Sequence, residues 1–110
     1  MLIRNGCSVV QDSTDSSTLV TGSIIDTSTS MSLAYTLINT GANTISWIVY
    51  GANLGDLSDK VIVQASADVL ANGIANYAVT IAPYRFYGVY IVSKVAGNAG
   101  QATLNGVAKG

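Results

Sequence analysis

Six aspartates, Asp12, Asp15, Asp26, Asp56, Asp59 and Asp68, are the only acidic side chains in this 110-residue sequence, and it contains no histidine and no glutamate. Acid–base chemistry near neutral pH leans on His and Glu more than on any other residue. Two aspartates could form the carboxylate pair of a glycoside hydrolase. Each of the six, however, falls in or beside a turn-forming stretch, where Asp serves local hydrogen bonding. Asp12 with Asp15, and Asp56 with Asp59, are close enough in sequence to offer oxygens to calcium. Neither pair has the ligand ladder or the closing bidentate Glu of an EF-hand loop. Glycine is frequent, but no Gly-x-Gly-x-x-Gly or Gly-x-x-x-x-Gly-Lys-Ser/Thr run follows a strand and opens a helix, so nucleotide binding has no support. The single Cys7 excludes an internal disulfide and a cysteine metal site; a small buried or half-buried thiol is its plainest role, and an intermolecular bridge is the alternative. The expectation is a protein that is not an enzyme, with no catalytic residue, no cofactor or metal site and no small-molecule substrate.

Six tyrosines and one tryptophan remain as side chains that could recognise something. Tyr84, Phe86, Tyr87 and Tyr90 gather around Arg85. Alternate rings of such a run can fill a core while the others pack at a sheet edge. The sharper reading makes Tyr84, Arg85 and Tyr87 part of a subunit contact, because Tyr and Arg concentrate at interface centres. Arg4, in the polar N-terminal stretch, is the fourth interface candidate. Trp47 lies mid-strand among apolar neighbours and is expected to anchor the core. The five basic residues, Arg4, Lys60, Arg85, Lys94 and Lys109, are too scattered to neutralise a run of phosphates, so nucleic acid is not an expected partner.

The elements that would position these residues read as strands. Residues 31–38 give the clearest pattern, with Met31, Leu33, Tyr35 and Leu37 on one face and Ser32 and Thr36 on the other, the period of two of a half-buried strand. Residues 44–51 are apolar on both faces and belong in the middle of a sheet. Further strands are expected over residues 7–11, 19–25, 61–67, 77–81, 86–95 and 101–108. Asn39-Thr40-Gly41-Ala42-Asn43 reads as a turn joining antiparallel neighbours, Asn72-Gly73 as a tight turn, and Gly97-Asn98-Ala99-Gly100 as the bend of a terminal hairpin. Pro83, which cannot donate to a ladder, marks a strand end. Seven to eight short strands at roughly ten-residue spacing predict an all-β, single-domain antiparallel β-sandwich or jelly roll. Residues 1–18 read as a partly extended N-terminal arm able to reach a neighbouring copy, and residues 19–110 as the β-sandwich domain.

Charged residues are only 10 % of the chain, against roughly 25 % in ordinary soluble domains, and the formal net charge is −1. Little self-repulsion keeps copies apart, which favours a homo-oligomer. Met1-Leu2-Ile3-Arg4 is too short for a signal peptide, and no apolar stretch reaches the ~18 residues of a membrane span. The expectation is therefore a soluble protein made in a cytoplasm, with no membrane partner.

Three segments, 47–53 (WIVYGAN), 82–87 (APYRFY) and 102–106 (ATLNG), together resemble small β-sandwich virion proteins of tailed bacteriophages, over roughly residues 31–109. The resemblance implies a structural virion protein. The leading form is a capsid decoration or cement protein on the phage head, assembled in the host cytoplasm as a homotrimer with the major capsid protein as partner. Other roles it implies are a carbohydrate- or receptor-binding module of a phage fibre, and a neck or tail connector. No functional residue carries over position by position.

Overall fold

A computed structural model describes residues 6–27 and 32–109; Arg4 and Met31 lie outside the described residues. The strands are β1 (Gly6–Asp12), β2 (Thr18–Leu19), β3 (Ile25–Asp26), β4 (Ser32–Asn39), β5 (Ile45–Ala52), β6 (Val61–Val69), β7 (Ile74–Val79), β8 (Phe86–Ser93) and β9 (Gln101–Lys109). They form two antiparallel sheets, a four-stranded one in the order β1-β9-β4-β7 and a five-stranded one in the order β2-β8-β5-β6, with β3 also on β8. Since β2 and β3 both pair with β8, they are one strand interrupted at residues 20–24. Every other connection except β5–β6 crosses from one sheet to the other. That winding is a jelly roll, the architecture the strand spacing predicts.

Alternation determines what enters the core. Leu33, Tyr35 and Leu37 of β4, Ile45, Trp47 and Val49 of β5, Tyr87, Val89 and Ile91 of β8, and Leu104 of β9 are all buried between the sheets. Burial of one such aliphatic side chain is worth about 1.5–3 kcal/mol. Trp47, fully buried, is the anchor its position predicts; truncation to Ala costs about 3–5 kcal/mol. Ala102, Gly106 and Ala108 keep the inner side of β9 thin. An added Cβ at Gly106 would stand 2.7 Å from the Tyr35 ring.

Four local expectations are corrected. Residues 19–25 are not one strand: the chain turns at Thr21–Gly22, with Gly22 at φ +85°, and the Ser23 amide bonds back to the Val20 carbonyl. The 39–43 turn does not join paired neighbours, because β4 and β5 lie in different sheets. Its cause is Asn39, whose buried side chain ties the corner together. Nor do β8 and β9 form a terminal hairpin, since β8 pairs with β5 and β9 pairs with β4 and β1. Finally, the stretch 1–18 is not an arm from Gly6 onward: β1 runs in continuous register with β9 from Gly6↔Val107 to Asp12↔Gln101. Its inward Cys7 and Val9 pack on the core, which holds the segment to its own chain.

Buried polar groups staple the crossovers. Asn39 Nδ2 donates to the carbonyls of Asn43 (2.7 Å) and Val69 (2.9 Å), and its Oδ1 accepts from the Gly41 amide (3.0 Å) and, more weakly, the Gln101 amide (3.4 Å). Ser13 and Ser93 share a hydrogen bond of 2.8 Å, and the Gly100 amide donates to Ser13 Oγ. Tyr35 Oη donates to the Ser23 carbonyl at 2.6 Å, while Ser23 Oγ accepts from the Val89 amide. Each bond satisfies a group that would otherwise be desolvated without a partner.

Candidate interaction surface

The three described interface candidates, Tyr84, Arg85 and Tyr87, divide between core and surface. Tyr87 is fully buried; its ring packs edge-on to Tyr84 at 6.1 Å and lies 6.5 Å from Tyr77, and its hydroxyl accepts from the Tyr84 amide. Burial holds the hydroxyls of Tyr87 and Tyr77 above the usual tyrosine range, and that of Tyr35, deeper still, well above it. Tyr84 is half-buried, its ring lying where a Cβ on Gly51 would be, 2.5 Å away. Only Arg85 reaches outward. Its guanidinium stands 3.7 Å from Asp26 and 4.9 Å from the Phe86 ring centroid. Arg4 lies outside the described residues. The cluster is thus a corner of the core with one arginine on it, and Tyr87 is not available for stacking on a sugar.

Asp15, Asp56 and Asp59 lie in turns and bends, as expected, whereas Asp12, Asp26 and Asp68 lie in β1, β3 and β6. Asp59 accepts from the amides of Asn53 and Leu54, Asp56 from that of Ser58, Asp15 from that of Gly97, and Asp12 from Gln101 Nε2. The Ser58 bonds lower the Asp56 pKa; at Asp68 the Ser46 hydroxyl, then Lys94 at 3.2 Å, does the same. Among the described residues no three His, Cys, Asp or Glu side chains converge on a possible metal position.

The outer face of the five-stranded sheet is partly covered by the chain itself. Ile24, Ala52, Leu57 and Phe86 form a second small core, in which Leu57 takes a left-handed backbone (φ 59°) and its Cδ1 stands 2.6 Å from where a Cβ on Gly88 would be. Tyr50 and Tyr90 meet edge to face at 5.0 Å, and Lys60 lies over both rings.

No described residue gives the outer face of the four-stranded sheet such cover. Register places Ile74, Ile38, Thr103 and Val10 in one row across it, Asn76, Thr36, Asn105 and Ser8 in the next, and Ala78, Ala34, Val107 and Gly6 in the third. Ile74, Val10 and Val107 are 64 %, 61 % and 43 % exposed. No position in the three rows carries a charge. The described charges nearest on this face, Asp12 and Lys109, stand at its opposite ends, beside Gln101 and Ser32 respectively. A shallow depression of about 310 Å³ lies at one end, lined in part by Ala34, Ala78 and Val107. Low overall charge was legible in composition, but its concentration on one face required the register.

No protein-family model matches the chain, and no curated protein matches it. Several solved structures share its fold, two of them as follows. One belongs to the endospore appendages of Bacillus, a family of disulfide-linked pili; at 14 % identity it covers 96 % of this chain and 86 % of that one, with a TM-score of 0.57. The other is PirA, at 10 % identity, covering 88 % of this chain and 90 % of that one, with a TM-score of 0.61. At such identities the likeness is one of fold. It nonetheless corrects the tailed-phage resemblance, and with it the viral, capsid-decoration, fibre and connector roles and the virion location. The major capsid protein and the trimer find no support either. The physical reason is that the three segments behind the resemblance, in β5, the crossing into β8, and β9, carry core and corner packing that any jelly roll of this size needs.

Proposed function

We propose that this chain is a structural subunit that assembles with copies of itself into an extended, appendage-like polymer outside the cell, and that it works without catalysis. The observation that carries this reading is the outer face of β1-β9-β4-β7, whose three rows hold no charge and which no described residue covers. Natural sheets that stay monomeric guard exposed surface and edges with lysine and other charges. Here β7, an edge strand, has no charge along Ile74–Val79. Likeness of fold over 96 % of this chain to a chain of the Bacillus endospore appendages supports the same role. One difference follows from the sequence. Those pili are disulfide-linked, whereas the sole cysteine of this chain, Cys7, is buried in the core. Assembly here therefore rests on packing and is insensitive to reducing agents. Negative-stain electron microscopy and sedimentation velocity of purified protein, with and without dithiothreitol, test the reading. Polymers that persist under reduction are expected; a monomer that stays monodisperse at millimolar concentration refutes it.

A further inference from the structure

We infer that the outer face of β1-β9-β4-β7 is a two-fold, face-to-face contact between two copies of this chain, with the axis running along the Asn76–Thr36–Asn105–Ser8 row. The inference rests on the self-assembly reading above and adds to it a surface, a symmetry and a register. A two-fold contact must bring a surface patch onto itself. An axis across the strands, through the middle row, keeps each strand over its own copy and reverses its direction. The row on one side of the axis then meets the row on the other.

Side-chain size fits that operation strand by strand. Ile38 of one copy stands over Ala34 of the other on β4, and Ile74 over Ala78 on β7; on β1, Val10 stands over Gly6. Bulky residues thus oppose small ones at three of four strands, as interdigitated sheets at about 10 Å spacing require. On the axis, Asn105 meets Asn105, and an amide carries both a donor and an acceptor for its own copy. Charge agrees as well. The reversal brings Lys109 of one copy to Gln101 of the other, next to its Asp12, so the two charges at opposite ends of the face become opposite-sign neighbours. An axis parallel to the strands would instead keep Asp12 at the same end as Asp12 and Lys109 at the same end as Lys109. Strand spacing and rise give the three rows on four strands a projected area of about 400 Å². That is well under the ~800 Å² per partner of a standard interface, so the contact is weak singly; being two-fold it closes on two copies, and the polymer proposed above needs a second contact elsewhere on the chain to join such pairs.

Two sets of variants test this. Ala34→Lys puts a charge opposite Ile38 while leaving the core untouched; sedimentation equilibrium should show at least tenfold weaker association with an unchanged thermal melt. For register, Asn105→Cys treated with a short bismaleimide should cross-link to itself. Ile74→Cys alone should not, but should cross-link when mixed with Ala78→Cys. Unchanged association of a folded Ala34→Lys, or self-linking of Ile74→Cys as fast as that of Asn105→Cys, overturns the inference; should Ala34→Lys not fold, the cross-links decide. Copies that polymerise with this face unlinked would sink the contact and spare the self-assembly reading, whereas a protein monomeric throughout sinks both.

Discussion

Replacing Asn39 by aspartate changes one NH2 for one oxygen and leaves shape intact, so its effect isolates hydrogen bonding at the corner between the sheets. The two carbonyls on one side of the Asn39 amide and the two backbone amides on the other fix which atom is nitrogen. The Asn39→Asp variant would lose both donated bonds, each worth about 1 kcal/mol net. It would also aim a carboxylate oxygen at the carbonyls of Asn43 and Val69 in a fully buried site. Burial and the carbonyl dipoles raise the folded-state pKa of the new carboxyl above the unfolded value of ~3.9, and the two amides offset part of that. A rise of about 1–2 units adds roughly 1.4–3 kcal/mol to the penalty, at ~1.4 kcal/mol per unit. The expected loss at pH 7 is about 3–5 kcal/mol, a large share of a typical domain's stability.

The sign of the pH dependence follows. A carboxyl with a raised folded pKa is harmless to stability below the unfolded pKa and increasingly destabilising as pH climbs towards the folded one. Below pH ~4 the protonated acid can also donate one O–H, so the loss should shrink to about 1–2 kcal/mol. Urea unfolding at pH 3.5 and pH 7, each referenced to wild type, measures both numbers; the fully buried Trp47 is the only tryptophan and reports the transition by fluorescence. A loss under about 1 kcal/mol at pH 7, or one that does not vary with pH, would refute this account of the corner.

Tyr35→Phe should cost about 1–2 kcal/mol at pH 7 through the lost bond to the Ser23 carbonyl. Because burial holds Tyr35 well above its ordinary value, wild-type stability should fall as pH rises past ~10, and the deficit of the variant should narrow there in alkaline urea titrations. Gly100→Ala puts a Cβ 2.4 Å from the Asn43 carbonyl oxygen and should lose at least about 1–3 kcal/mol by overpacking, whereas Gly97→Ala, with open space but φ +83°, should lose about 1 kcal/mol; paired thermal melts separate the two. Arg85→Ala removes a partly exposed ion pair with Asp26 and a cation–π contact with Phe86 and should cost about 1 kcal/mol of stability. It should leave assembly intact; loss of polymers would restore Arg85 as an interface residue.

What the sequence made legible was the period, and what it hid was the partner. The Leu33-Tyr35-Leu37 alternation places β4, the two-sided apolar run places β5 at the centre of its sheet, and Asn72, with φ 62°, turns where Asn72-Gly73 predicts. Turn residues say where a chain bends, not which sheet it enters next, and this is why the 39–43 and 97–100 bends read as hairpins. The deciding groups, Asn39 and the Ser13–Ser93 pair, act between residues as much as 87 positions apart. The aromatic run failed as an interface for a related reason. Tyr87 points into the core from β8 and Phe86 to the opposite face, whereas Arg85 lies just before the strand begins, where period two does not place it.

The contrast between the two outer faces gives low charge its meaning. Neutral residues alone do not build an interface, since Ser, Thr and Asn are well hydrated and singly exposed aliphatic residues are common on any surface. On the five-stranded sheet the chain spends Ile24 and Leu57, the latter with a strained backbone, to cover its own apolar outer positions, and sets Lys60 over the remaining rings. On the four-stranded sheet, no described loop or charge comes between Ile74 and Val10, two exposed aliphatic ends of one row. A face that no described residue covers is where the proposed self-assembly would act. Rows graded from bulky to small across a polar centre line identify the best complement as the same face turned end for end.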